Sequence, residues 1–197
     1  MTTDAATLKR PLRADAQRNY DKIVQVAAQA FAEKGTGASL DDIACRAGVG
    51  PGTLYRHFPT RDALLAAALH GALDELGDTA RRLMAADDPA AALDEWILEL
   101  ARHLRTYGGL PESIATALQD PSSPLCTSCQ PMTAGTAKIL ARAKEAGAVR
   151  ADVQASDLNA LIGSLAWASE RRGDSDAALR RLIKLVTDGL RPLSVVE

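Results

Sequence analysis

Residues 47–58, AGVGPGTLYRHF, place Thr53, Tyr55, Arg56 and His57 among three glycines and a proline. A hydroxyl, a phenol, a guanidinium and an imidazole are all hydrogen-bond donors, a set suited to phosphate oxygens and base edges. Two other groupings have chemical potential. His103 follows Glu99 by one helical turn, the spacing of an acid–base pair, but no obvious nucleophile accompanies it. Cys126 could serve His103 as a thiol partner only if its segment folded over the helix carrying His103. The Cys126-x-x-Cys129 spacing also fits a reversible disulfide or half a zinc site. Zinc needs about four ligands, and the chain offers no second C-x-x-C and no close pair of histidines. No metal and no cofactor are therefore expected. Inert thiols in a variable loop over 120–132 are the plainer reading, a redox-sensing regulator built on Cys126 and Cys129 is an alternative, and catalysis is a remote one. Cys45 is expected to be packed.

The elements that would position the first group can be read from periodicity and punctuation. From Asp15 to Lys34, Ile23, Val26, Ala27, Ala30 and Phe31 form one helical stripe, closed by Gly35 and Gly37. Ser39 followed by Asp42 has the form of a capping box ahead of a two-turn helix that stops at Gly48. Pro51 suits a first helical position, and a second short helix runs to Phe58, closed by Pro59. Two short helices joined by a glycine turn, with a longer helix in front, make a helix-turn-helix pattern. In it Gly48 permits the left-handed turn, Val49 plugs the angle between the helices, and Leu54 and Phe58 anchor the second helix. Thr53, Arg56 and His57 then face outward, and Gly52 and Thr53 can approach base edges closely. Taken alone, Arg56 and His57 could be ordinary solvated side chains and Tyr55 a core residue; the motif is what argues otherwise.

Charge points the same way. Overall net charge is −2, but residues 1–61 hold nine Lys/Arg against six Asp/Glu, a net +3, and the remainder holds 14 against 19, a net −5. A basic head on an acidic body is the pattern of a small DNA-binding domain.

The stretch ASLDDIACRAGVGPGTLYRHFPTRDALLAAAL, with RNYDKIVQVAAQAFAEKG ahead of it, resembles the DNA-binding domain of the TetR family of transcriptional regulators. The resemblance covers residues 15–70. It implies an all-α homodimer, usually a repressor, whose divergent C-terminal domain binds a small molecule and changes the spacing of the two heads. It further implies that Ser39 caps the second helix and holds a phosphate, that Thr53, Tyr55, Arg56 and His57 contact DNA, and that Arg61 contacts phosphate. Gly50 departs from the family's usual serine and leaves that role to backbone N–H groups.

The expected organisation is a flexible basic arm over 1–14, a helix-turn-helix domain over 15–59, and an effector-binding and dimerisation domain over 60–197. The fold class is all-α, an N-terminal three-helix domain followed by a helical body. Within the body a helix runs from Thr60 to about Leu76 and another from Pro89 to Tyr107, where Trp96, Leu100, His103 and Tyr107 share a face. These four, with Trp167, are the expected effector wall, although core packing competes for each of them. Two C-terminal helices, Ala155 to Arg172 and Ser175 to Leu190, carry the stripes Leu158, Leu161, Ile162, Leu165 and Leu179, Leu182, Ile183, Val186. Their excess apolar face suggests a four-helix dimer interface. The partners expected are double-stranded operator DNA, a second copy of the chain and an unidentified small molecule. No long apolar run and no secretory signal pattern are seen, so a cytoplasmic location is expected.

Overall fold

The computed structural model describes residues 6–192, with side chains from residue 14. Nine helices follow one another among these residues: α1 (Ala6–Lys34), α2 (Leu40–Ala47), α3 (Pro51–His57), α4 (Arg61–Met84), α5 (Pro89–Arg105), α6 (Leu110–Ala117), α7 (Pro124–Glu145), α8 (Ala155–Arg171) and α9 (Asp176–Leu190). The all-α expectation holds. Helix α1 begins at Ala6, ahead of the expected Asp15, so part of the basic arm is helical backbone, while residues 1–5 of that arm lie outside the described residues.

Most starts follow local chemistry. Thr60 and Ser175 accept the N–H groups of Ala63 and Ala178, and Asp88 accepts those of Ala90 and Ala91, with Pro89 preset at the first helical position. Each cap satisfies a donor that the helix itself leaves unpaired.

Two expectations need correction. Helix α4 continues past Leu76 to Met84, and of the segment 120–132 only residues 120–123 are a turn, the rest being helix. Ser123 caps α7, Pro124 occupies its first turn, and Pro131 sits inside the helix on an exposed face. The segment reads as a loop because it is rich in Pro and Ser. One proline starts the helix, and another is tolerated where the freed carbonyl can meet water.

Helix α4 is the shared strut of head and body. At 24 residues it is about 36 Å long. Near its first turn the Ser123 hydroxyl donates to Asp62 Oδ2 at 2.7 Å, tying α7 to α4. At its other end the Arg142 guanidinium, from α7, donates to the carbonyls of Leu83, Met84 and Ala86 at 3.1, 2.6 and 2.7 Å. Those carbonyls lie at a helix terminus, where a cation is favoured, and of the three only Leu83 O also accepts a backbone N–H, from Ala86 at 3.2 Å. Gly135 lets α7 approach closely: a Cβ there would lie 3.1 Å from Ala80 Cβ and 3.4 Å from the ring of Trp96, which is fully buried. Helix α5 is clasped to α9 by Arg102, which donates to both oxygens of Asp176 at 2.8 and 2.7 Å and to Glu99 at 2.6 Å. The guanidinium holds the Asp176 carboxyl below the usual carboxylate range.

Removing the Arg142 cap is expected to destabilise the protein by about 2–3 kcal/mol, since hydrogen bonds from a charged donor to helix-terminal carbonyls are lost. Arg142→Ala should lower the urea midpoint at unchanged slope. Arg142→Lys should recover only part, because a point ammonium cannot span three carbonyls. An unchanged midpoint in Arg142→Ala would rule out this role.

Candidate DNA interface and effector cavity

The turn between α2 and α3 is built as its residues require. Gly48 adopts φ +67° and closes α2, its N–H reaching Cys45 O at 3.0 Å while Val49 N–H reaches Ala44 O at 3.0 Å. That left-handed conformation suits a residue without Cβ. Leu54 and Phe58 are buried, Val49 half-buried, so α3 is held by one face. On its other side Tyr55, Arg56 and Gly52 are exposed, and Thr53 is half-buried. His57 is half-buried as well, its ring edge-on to Tyr20 at 6.1 Å, while Tyr20 packs on Phe58 at 5.0 Å. Imidazole orientation is thus set from α1.

Ser39 caps α2 by accepting Asp42 N–H at 3.3 Å. The reciprocal half of the capping box is not made, because the Asp42 carboxylate pairs with Lys34 at 3.5 Å. Cys45 is exposed rather than packed. Arg46 forks onto both oxygens of Glu33 at 2.9 and 3.3 Å and fastens α2 to α1. Arg56 and Lys22 make no ion pair among the described residues. Lys22 was not singled out in the sequence, yet its ammonium would lie 3.3 Å from a Cβ at Gly48, beside the turn. Only the tertiary packing of α1 on the turn reveals it.

Arg61 is engaged otherwise than the resemblance implies. Its Nη1 donates to the carbonyls of Thr36 and Ala38 at 2.8 and 2.7 Å, clamping the loop between α1 and α2 to the start of α4. The same loop meets the body. Thr36 N–H donates to Gly108 O at 2.6 Å, and the Ser113 hydroxyl, on α6, donates to Thr36 Oγ1 at 3.0 Å.

A cavity of about 1020 Å³ opens in the body, walled by Leu100 and Leu104 of α5, Pro111 and Ile114 of α6, Leu118 just after it, Met132 of α7, and Asn159, Gly163 and Trp167 of α8. Of the five expected effector residues, Leu100 and Trp167 line it. Trp96, His103 and Tyr107 do not. Trp96 is core: its Nε1 donates to Thr136 Oγ1 at 2.9 Å, and that hydroxyl donates to Asn159 Oδ1 at 2.8 Å. Burial lowers the His103 pKa against a smaller opposing influence of Glu75, which favours the neutral imidazole. A shared stripe on α5 cannot distinguish the wall from the core behind it.

The expected dimer residues divide likewise. Leu158, Ile162, Leu179 and Ile183 are buried within the protomer, which is a correction to the interface reading. Leu161 is exposed and Leu165, Leu182 and Val186 are half-buried, joined by exposed Leu185, which the stripe omitted. Cys126 and Cys129 lie one turn apart on α7, and burial pushes the Cys129 thiol up to about 11. The thiolate is the reactive form, so this arrangement disfavours thiol chemistry at Cys129.

Comparison with known proteins fits this geometry. The profile of bacterial regulatory proteins of the tetR family matches residues 23–68, and that of the C-terminal domain of SbtR-like transcriptional regulators matches residues 88–192. The chain belongs to the TetR family. It is 39% identical over 109 residues to the HTH-type transcriptional repressor Rv3405c of Mycobacterium tuberculosis, a match covering 53% of this chain and 56% of that protein. The chain thus spans about half the length of the curated relatives it matches. Among solved structures, the TetR regulator SCO0520 of Streptomyces coelicolor is 35% identical with a TM-score of 0.59, over 88% of this chain and 99% of that one. A TetR regulator of Mycobacterium vanbaalenii is 36% identical with a TM-score of 0.53, over 92% and 100%. In this TetR protein no described helix is long and apolar enough to cross a membrane.

The Arg61 clamp predicts a structural cost even without DNA. Arg61→Ala should lower thermal stability by about 1–3 kcal/mol, because two carbonyls lose a charged donor. Arg56→Ala, at an exposed and unpaired position, should lie within about 0.5 kcal/mol of the native protein. Calorimetry on both variants checks the contrast, and equal stabilities would remove the clamp.

Proposed function

We propose that this TetR protein is a cytoplasmic homodimeric repressor that leaves a pseudo-palindromic operator when a small molecule fills the body cavity. The observation that carries the reading is the continuity between cavity and head. Helix α6 lines the cavity with Pro111 and Ile114 and carries Ser113, whose hydroxyl is hydrogen-bonded to that of Thr36 in the loop leading to α2. A ligand that moves α6 therefore pulls on the element that orients the DNA-reading helix.

On this reading Thr53 and Arg56 address base edges, with Gly52 allowing close approach, while Tyr55, His57, Ser39 and Lys22 address phosphates. Arg61 acts chiefly by holding the loop and adds a phosphate contact through its remaining N–H groups. Leu161, Leu165, Leu182, Leu185 and Val186 form the contact between protomers, setting two copies of α3 about 34–36 Å apart or somewhat more. A ligand binding the released state a hundredfold better supplies about 2.7 kcal/mol per site, enough to move a modest bias between states. A redox reading finds less support, since Cys129 is buried with its thiol protonated. An enzymatic reading finds none in relatives that are transcriptional regulators.

Operator fragments selected from random duplexes provide the test. Arg56→Ala should cost about 1–3 kcal/mol and relax preference at one operator position. Lys22→Ala should weaken all sequences alike and flatten the salt slope by about one per subunit. Leu161→Asp with Leu185→Asp should yield monomers by light scattering. Gly163→Phe should keep operator affinity but weaken release by the effector, since a Cβ at Gly163 meets nothing within 4 Å and the ring can project into the cavity. A chain that selects no duplex at low salt would end the proposal.

A further inference from the structure

We infer that the cavity takes a largely hydrophobic molecule whose polar end is an uncharged acceptor or a cation, and that it rejects carboxylates and phosphates. This rests on the cavity being the effector site, and it names the class of molecule that site accepts.

The charge inventory comes first. Among the described residues lining the cavity, Glu112 is the sole ionisable side chain, and no Lys, Arg or His reaches the wall. His103, a possible cation by sequence, lies outside it. An anion drawn in would lose its hydration shell with no counter-charge on the wall and a carboxylate for company, a cost that apolar contact does not offset cheaply. A cation would meet the opposite situation.

The hydrogen-bonding inventory agrees. The Ser164 hydroxyl donates to Ala160 O at 2.8 Å and the Thr133 hydroxyl to Gln130 O at 3.0 Å. These two wall hydroxyls thus spend their protons within their own helices and present lone pairs, and the third, Ser156, has the Asp157 carboxylate at 3.4 Å as its acceptor. Asn159 is the exception. The Thr136 hydroxyl, which accepts from the donor-only indole of Trp96, has Asn159 Oδ1 at 2.8 Å and Met132 O at 3.2 Å as acceptors; with its one proton on the nearer Oδ1, the Asn159 amide NH2 is the donor turned over to a ligand. One neutral NH2 suits a carbonyl, ether or hydroxyl oxygen. It does not neutralise a carboxylate.

The aromatic wall completes the argument. Trp167 is 41% exposed and lines the cavity, so its ring is available to a ligand. Its π-face attracts cations and apolar groups and repels anions. Arg171 lies over the Trp167 ring, its Cζ 5.6 Å from the centroid, but is not part of the wall, so a ligand cation would use the ring surface that Arg171 leaves open.

The test uses the full chain and Nile red, a neutral hydrophobic dye, displaced by three probes sharing one alkyl chain: decan-1-ol, decyltrimethylammonium and decanoate. They are compared at pH 7.5, below micelle formation and at concentrations that leave the far-ultraviolet circular dichroism unchanged. The alcohol and the ammonium should displace the dye, with decanoate at least about tenfold weaker. Glu112→Gln should narrow the preference of ammonium over alcohol and improve decanoate, leaving decan-1-ol unchanged. Decanoate competing as well as the alcohol, or a ranking unmoved by Glu112→Gln, would overturn the charge selectivity while leaving the cavity as a site. Nile red that fails to bind, or that binds Gly163→Phe as tightly as the native chain, would instead overturn the effector-cavity reading, and this inference with it.

Discussion

The backbone of the head touches the backbone of the body at Gly35–Thr36 and Gly108, and the working of the molecule depends on how closely. Gly35 adopts φ +77°, and a Cβ there would lie 2.5 Å from Gly108 O, so the position is barred to other residues both by conformation and by space. Only through that approach can Thr36 N–H donate to Gly108 O at 2.6 Å. Arg61 then fixes the loop from the α4 side and Ser113 from the α6 side. The loop before α2 is therefore anchored to two elements that belong to the body, and the head cannot reorient without breaking or dragging these bonds.

The junction has a partner at the far end of the strut. Arg142 gathers three carbonyls at the end of α4, so this helix is fastened by guanidinium groups near both ends, one from its own first turn and one from α7. On the proposed reading, a motion of the cavity wall would tilt a stiff rod rather than fray its termini. The energies are modest: each charged hydrogen bond is worth about 1.5–3 kcal/mol, comparable with the about 2.7 kcal/mol that a hundredfold ligand preference supplies. Coupling of this size shifts populations without unfolding the head. The approach of Glu170 on α8 to Gly108, where a Cβ would meet its carboxylate at 3.2 Å, brings a second cavity-lining helix to the same junction.

Much of this was legible in the sequence where local chemistry decides the outcome. The caps at Ser39, Asp88 and Ser175, the left-handed stop at Gly48, and the anchoring of α3 by Leu54 and Phe58 all follow from residue type and spacing. What could not be read depends on packing between distant segments. Helix α8 has a core face with Leu158 and Ile162, a cavity face with Gly163 and Trp167, and an outward face with Leu161; periodicity sets the cavity face apart but merges the core and outward faces into one stripe. Trp96 and Trp167 are chemically identical, and only the hydrogen bond to Thr136 and the crowding at Gly135 mark the first as core. Arg61 is basic at a position where DNA is near, and its actual engagement with Thr36 and Ala38 bridges 25 and 23 residues of chain. Helices α6 and α7 were obscured because their prolines, which start or interrupt a helix, resemble loop punctuation.

The central claim is that cavity and head move as one device, and Cys45 offers a direct probe of it. This thiol is exposed on α2, so in a Cys126→Ser background, with Cys129 buried, a nitroxide can be placed on each head of the dimer. Electron–electron double resonance then measures the separation of the two labels with and without a compound that releases the operator. The account predicts one narrow distance in the free dimer that shifts when the compound binds, and a smaller shift at the same compound concentration in Gly163→Phe, where the ring narrows the cavity. An identical distance distribution in both states, with operator release intact, would contradict it.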